Sequence, residues 1–299
     1  NSVHDENSLR AWIIAHRSTI DRNPAAFCAV EIAVLDLIGR IKTCPVEDLV
    51  GVPRLTGRFQ YSAVLGDAPY LAYWWQYRRY WNQGFRDFKI KLSGDPRRDR
   101  RKIGLFRNKA YPPPRVRLDA NNFWSSADAC IRHIKGLSYD VFAIEEPLHE
   151  GDLAGFERVR QACGVKIILD ESLSRIDQLD WLDETRGWIV NLRVSKMGGI
   201  IRSLDVAEKA SHLGIGVIVG AQAGETSLLT RAALTVMNAN RANLVASEGA
   251  FGTHLLRHDL ASPSLMFGAG GLLDTEKFDL GSCVGLGLQV RYENLAPMA

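Results

Sequence analysis

The chain has 299 residues, 46% of them hydrophobic and 24% charged, with a net charge of +3. That length has room for one large α/β barrel or two domains, and the composition is ordinary for a globular protein. The charge is too small to predict a nucleic-acid or membrane partner, and no apolar run approaches the roughly 18 residues of a membrane span. Cys28, Cys44, Cys130, Cys163 and Cys283 are scattered with no C-x-x-C pair, the pattern of reduced thiols. With a polar start that lacks the apolar core of a signal peptide, this predicts a cytoplasmic protein.

Residues 1–57 read as helices, notably 25–41 with apolar Ala29, Ile32, Ala33, Leu37 and Ile41. They are too few for an independent core and are predicted to be the helical part of a cap over a barrel at 58–272. The Gly-rich end, 273–299, is predicted to return to that cap. Strand patterns fall at 59–65, 86–92, 115–120, 141–146, 166–171, 188–195, 215–220 and 243–248, with helical patterns between them. Eight such strands predict a parallel (β/α)8-type barrel.

Tyr70, Tyr73, Trp74, Tyr77 and Trp81 lie at helical spacing and are predicted to pack on the barrel wall. The basic run from Arg97 to Lys102 opens a helix and is predicted on its solvated face. Ser125 to Asp128 resembles a capping box, Ser174 is predicted to cap a helix burying Ile176, Leu179 and Leu182, and a helix at 201–213 stops at Gly214. His254 and His258 lack the Glu of a zinc helix, and Gly268–Gly271 is not followed by a helix start, so both read as loop.

Side chains alternate faces along a strand. One face of the central strands is apolar: Phe88, Ile90 and Leu92, then Val116 and Leu118, Phe142 and Ile144, Ile167 and Leu169, Val190, Leu192 and Val194. The other carries Lys89 and Lys91, Asp119, Glu145, Asp170, Asn191 and Arg193. Asp119, Glu145 and Asp170 are 26 and 25 residues apart, one per strand–helix unit, at the strand ends where barrels carry active sites. Three converging carboxylates repel unless protonated or bound to a cation. An all-oxygen set suits Mg²⁺, with Mn²⁺ the alternative. Lys89 and Lys91 flank the acids on one side and Arg193 on the other, as substrate and proton-transfer groups.

The segments Gly84–Lys91, Asp119-Ala120-Asn121, Ile144-Glu145-Glu146-Pro147, Asp170-Glu171-Ser172, Lys196–Ile200 and, in the cap, Ala29–Arg40 together resemble the enolase superfamily, in particular its muconate-lactonizing branch. The resemblance covers almost the whole chain. It implies a (β/α)7β barrel, Mg²⁺ bound by Asp119, Glu145 and Asp170, and a homo-oligomer acting on a small carboxylate. It also implies Lys91 as the base that takes the proton α to that carboxylate, supported by Lys89. The chemistry agrees: removing such a proton leaves two anionic oxygens, which a divalent ion and nearby cations stabilise. A lysine serves as base when neighbouring positive charge lowers its pKa from about 10.4.

The sequence departs from that branch in three places. The strand-six position that carries a second Lys is Arg193, and Lys196 is predicted on the opposite strand face, unable to replace it. Holding a guanidinium neutral near pH 7 costs about 7 kcal/mol, against about 4–5 for Lys. This favours one-base chemistry, cycloisomerisation or β-elimination of the succinylbenzoate-synthase kind, over an amino-acid or dipeptide epimerase with Arg193 opposite Lys91. Strand eight reads Ala246-Ser247-Glu248-Gly249 rather than the dipeptide epimerases' Asp-x-Asp, and strand seven has no His of the mandelate-racemase kind. Asn121, Asn191, Glu225 and Glu248 are the candidate substrate-binding residues. The antiparallel sheet that precedes the cap helices in the family is not part of this sequence, so a catalytically inactive barrel acting as a binding module stays open as the reading from another class.

Overall fold

The computed structural model describes residues 3–107, 112–182 and 187–294. Eight parallel strands follow one another in a single sheet in chain order: β1 Ala63–Leu65, β2 Asp87–Lys91, β3 Arg115–Asp119, β4 Ala143–Glu145, β5 Lys166–Leu169, β6 Trp188–Arg193, β7 Gly216–Gly220 and β8 Leu244–Ser247. The sheet curls until the Ser62 amide, just before β1, donates to the Ser247 carbonyl at 2.8 Å. This is the predicted barrel, with one correction. The segment 59–65 is two strands, because Arg58–Gln60 turns out of the barrel to pair antiparallel with Leu272–Asp274.

The outward positions Phe88, Ile90, Val116, Leu118, Ile144, Ile167, Leu169, Val190 and Leu192 are buried against helices. The inward positions Ala143, Ile168, Ile189, Ile218 and Ala246 form a separate apolar plug inside the barrel. The helices are α1 Glu6–Ala15, α2 Arg17–Arg22, α3 Pro24–Lys42, α4 Val46–Val50, α5 Tyr70–Asn82, α6 Pro96–Ile103, α7 Ala127–Gly136, α8 Leu153–Cys163, α9 Val194–Met197, α10 Ile200–His212 and α11 Ser227–Ala239. Helix α5 buries Tyr73 and Tyr77 as predicted, with Tyr77 and Trp81 packed on Phe88. Ser126 caps α7 by accepting from the Ala129 amide. After β5 the chain makes a short 3₁₀ helix, Ile176–Trp181, and Ser174 does not cap it. The Gln178 carboxamide oxygen takes the Ser174 and Arg175 amides instead, each at 2.8 Å.

Two helices bury residues that their sequence patterns do not mark. In α3 the buried stripe is Cys28, Glu31, Ile32, Leu35, Ile38 and Gly39, while Ala29 and Ala33 are exposed and Leu37 and Ile41 are 57% and 74% exposed. The helix is apolar on both sides, and its rotation is decided by contacts that periodicity does not contain. The Glu31 carboxylate accepts the Ile200 and Ile201 amides at the start of α10. A Cβ on Gly39 would meet Gly285 Cα at 2.7 Å. In α6 the basic run is not wholly solvated: Asp99 and Lys102 are buried, and Asp99 accepts from Ser93, Gly94, Lys102 and His133.

The Gly-rich end runs back along the first helices. Gly285 exchanges hydrogen bonds with Val46 and Cys44, and Arg40 donates to the Leu288 carbonyl at 2.8 Å. Residues 295–299 of the predicted returning segment lie outside the described residues.

Burial pushes the Glu31 carboxyl up from 4.5 to about 7, against the pull of the Ile200 and Ile201 amides. The unfolded chain therefore gives up this proton near its ordinary pKa and the folded chain only near 7. Stability held below the lower value is lost as pH rises through the upper one. Glu31→Gln is expected to remove about 3 kcal/mol of the fall in unfolding free energy across that window, read from urea midpoints at about pH 5 and about pH 8. An unchanged slope would show that Glu31 titrates normally.

Candidate active site

Lys91, Asp119 and Glu145 occupy paired positions across β2, β3 and β4, so parallel register sets them in one row at the C-terminal rim. Asp170 stands higher. Glu145 pairs with Ile168, and Asp170 follows two residues later, just beyond the end of β5.

The two lysines of β2 have different surroundings. Lys89 is 4% exposed. Its Nζ lies 2.8 Å from Glu145, 3.3 Å from Asp119 Oδ2 and 3.2 Å from Glu248 Oε2. Burial alone would lower its pKa, but Glu145, Glu248 and Asp119 outweigh it and hold the ammonium well above its ordinary range. Lys91 Nζ donates to Asn121 Oδ1 at 3.1 Å and lies 3.6 Å from Asp119 Oδ2, with 41% of its side chain exposed. Lys102 Nζ donates to the Lys91 carbonyl at 3.1 Å, so the Asp99 cluster braces the end of β2 from behind.

Across the mouth, Arg193 pairs with Asp170, donates to Gln222 Oε1 at 3.2 Å and lies 3.6 Å from Glu171. Lys196 is not on the opposite face of a strand. The strand ends at Arg193 and the chain turns into α9, which swings the amine back to Asp170 Oδ1 at 2.8 Å and to the Leu173 and Asn191 carbonyls, both at 3.0 Å. Burial, then Arg193, lowers its pKa to about 7. These contacts place it beneath Asp170 and leave Arg193 as the cation at the mouth.

A cavity of about 280 Å³ opens here, lined by Lys89, Lys91, Asp119, Arg193 and Glu248, with Val64, Tyr80, Phe251 and Leu255 on its apolar side. Of the other candidate substrate-binding residues, exposed Asn121 adjoins it through Lys91. Asn191 does not, being fully buried with its amide donating to Glu145 Oε1 at 3.1 Å. Glu248 is 7% exposed and held by Lys89 and Arg117. Glu225 accepts the Gln222 amide at 2.7 Å in the loop before α11, where burial raises its pKa to about 7.

Among the described residues, no three His, Cys, Asp or Glu side chains converge as a ready-made ligand set. Asp119 and Glu145 instead contact Lys89, and Asp170 contacts Arg193 and Lys196. The donor set nonetheless fits a hard divalent cation. It consists only of carboxylates at successive strand ends. Glu145 Oε2 and Asp170 Oδ2, though in ion-pair contact, accept no hydrogen bond of good geometry. Those lone pairs are suited to a cation.

Sequence reading missed Glu146, whose carboxylate accepts the Asp170 amide at 2.6 Å and the Ser172 amide and hydroxyl at 2.8 and 2.7 Å. It thereby holds the loop that carries Asp170. Its own φ is +41°, in the left-handed region that side chains avoid. The double acid Glu145-Glu146 was the available sign, since neighbours on a strand cannot both enter the mouth. Arg117 and Asp87 were also missed, although they share strand parity with Asp119 and Lys89.

Residues 74–294 match the family described as enolase C-terminal domain-like. Among curated proteins the chain is similar to the L-Ala-D/L-Glu epimerase of Bacillus subtilis, 29% identical over 202 residues that cover 66% of this chain and 55% of that protein. It is also similar to the hydrophobic dipeptide epimerase of Enterococcus faecalis, 28% identical over 233 residues covering 76% of this chain and 65% of that one. The chain thus spans less than two thirds of the length of either relative. Among solved structures, the Enterococcus faecalis V583 dipeptide epimerase complexed with Mg and the dipeptide L-Leu-L-Tyr has a TM-score of 0.78 at 24% identity, over 93% of this chain and 77% of that one. Muconate lactonizing enzyme from Pseudomonas putida gives 0.79 at 24% identity, over 95% and 78%. Both structural likenesses are of fold.

Proposed function

The chain belongs to the enolase C-terminal domain-like family, and from that premise we propose that it is an isomerase or lyase that removes the proton α to the carboxylate of a small acid, with Lys91 as the base. The observation that carries this is the division of labour on β2. Lys89 is locked among three carboxylates, while Lys91 lines the cavity and donates its one side-chain hydrogen bond to a neutral carboxamide. A base must reach substrate and exchange its proton with solvent, and the more exposed side chain of Lys91 supports that role over buried Lys89.

Asp119, Glu145 and Asp170 would hold a Mg²⁺ ion, which when bound supplies positive charge to the oxygens of the substrate carboxylate as the α-proton leaves. Lys89 keeps Asp119 and Glu145 paired and adds fixed positive charge behind them. Arg193, anchored by Asp170 and Gln222, presents a planar guanidinium that steadies negative charge on the far side of the mouth. Asn121 orients the Lys91 amine through its carboxamide oxygen. With one base, the reaction that follows proton removal is cycloisomerisation or β-elimination.

A second reading, epimerisation of an amino-acid derivative, is favoured by the names of the relatives. It requires proton return from the Arg193 side. Proton NMR in deuterated water separates the two, using a panel of carboxylates with Mg²⁺ present. One-base chemistry places deuterium with a single configuration at the α-carbon, and epimerisation fills both. Chelation of the ion is expected to stop exchange and added Mg²⁺ to restore it. Exchange that continues undiminished in excess chelator would remove the metal from the account.

A further inference from the structure

We propose that Arg117 and Glu248 are positioning residues that hold Lys89 in place as a fixed cation, through a column of ion pairs running inside the barrel. The inward positions of β4 to β8 are filled by the apolar plug of Ala143, Ile168, Ile189, Ile218 and Ala246. On β2 and β3 the same inward parity carries Asp87, Lys89 and Arg117 instead. Charges in such a place are costly unless each meets an opposite partner, and here each does. Arg115, at the opposite end of the barrel, pairs with Asp87. Asp87 Oδ1 lies 3.1 Å from Arg117, whose guanidinium is fully buried and also donates to Ser62 Oγ at 2.7 Å. Arg117 Nη1 lies 3.1 Å from Glu248 Oε1, and Glu248 Oε2 lies 3.2 Å from Lys89 Nζ. The column ends at Glu145 and Asp119.

The position of Lys89 is a balance. Glu248, on the end of β8, pulls the ammonium one way, while Glu145 and Asp119, on β4 and β3, pull it the other. Arg117 takes part of the Glu248 charge through an ion-pair contact with its second oxygen, which accepts no hydrogen bond of good geometry. Without Arg117, the whole Glu248 charge falls on Lys89 and draws it from Glu145 and Asp119, an effect that is large where the surroundings screen weakly. The geometry thus assigns Glu248 to the support of Lys89. The inference rests on the proposed function only for what Lys89 then supports; the column itself stands on the contacts.

The test labels the full chain with ¹⁵N at lysine Nζ and reads side-chain resonances and relaxation without substrate or metal. The Lys89 signal is identified by its loss in Lys89→Met. Lys102, equally buried but paired with Asp99, serves as the control. Glu248→Gln and Arg117→Met are each expected to shift the Lys89 resonance and to raise the amplitude of its motion at least twofold, with Lys102 unmoved. Arg117→Lys restores part of the effect, and the double variant adds little to either single one. Glu248→Gln keeps the shape of the side chain and carries the test if Arg117→Met does not fold. A Lys89 signal that stays put in folded variants, or a Lys102 signal that moves as much, would overturn the proposal. If Lys89 responds as stated but no carboxylate shows α-proton exchange, the base assignment fails and the column stands.

Discussion

Lys91→Met is expected to slow α-proton exchange by about 10²–10⁴-fold, the contribution of a positioned general base. Stability should change little. The side chain is 41% exposed and its polar contacts are the single bond to Asn121 and the 3.6 Å approach to Asp119, so removing it leaves no buried group without a partner. Lys91→Arg should not rescue the rate, because a guanidinium remains protonated at neutral pH and cannot accept the proton. Lys89→Met provides the contrast. It strips the cation from among three buried carboxylates and is expected to lower both exchange and stability. The measurement is the decay of the α-proton NMR signal in deuterated water, alongside urea midpoints for each variant. A Lys91→Met enzyme that keeps more than a tenth of the parent rate would take the base assignment away from Lys91.

The second large effect concerns the join between the first helices and the barrel. Arg231 on α11 and Glu47 on α4 are both fully buried, paired at 2.8 and 2.9 Å in a two-point contact, and Thr235 Oγ1 adds a bond to Glu47 at 2.7 Å. Arg231 also donates to the Leu286 carbonyl at 2.8 Å, so one guanidinium ties together α4, α11 and the returning C-terminal segment. Removing one partner strands the other charge in the interior. Arg231→Met or Glu47→Leu alone is therefore expected to cost about 3–5 kcal/mol. The double substitution should cost much less than the sum, because both charges leave together and only the Leu286 carbonyl and the Thr235 hydroxyl lose a partner. Denaturant midpoints across the cycle check this, and additive losses would mean that the pair contributes through packing rather than charge.

Much of the site was legible because strand parity is strict. In a barrel strand every second residue faces inward, so Asp119, Glu145, Asp170, Lys89, Lys91 and Arg193 could be found from apolar alternation and their place at strand ends. The same rule reaches Arg117 and Asp87, but an interior arginine shows its role only when its partners are seen. Asp99 and Lys102 were hidden in a run of like charges. What distinguishes them from their neighbours is that α6 turns those two toward His133 on α7 and the end of β2.

What the chain determined by itself is the order and parity of its strands, and with them which acids and amines meet at one rim, since both follow from local backbone geometry. The tertiary structure alone decided which side of α3 turned inward, because an helix apolar on two faces is oriented by distant contacts, here Glu31 with the start of α10 and Gly39 with Gly285. It alone brought Lys196 back to Asp170, because the amine lies past the end of β6, where alternation ceases to hold. It also set Lys89 apart from Lys91. Two residues alike in type, strand and parity differ because depth in the barrel surrounds one with carboxylates and leaves the other at the edge of water.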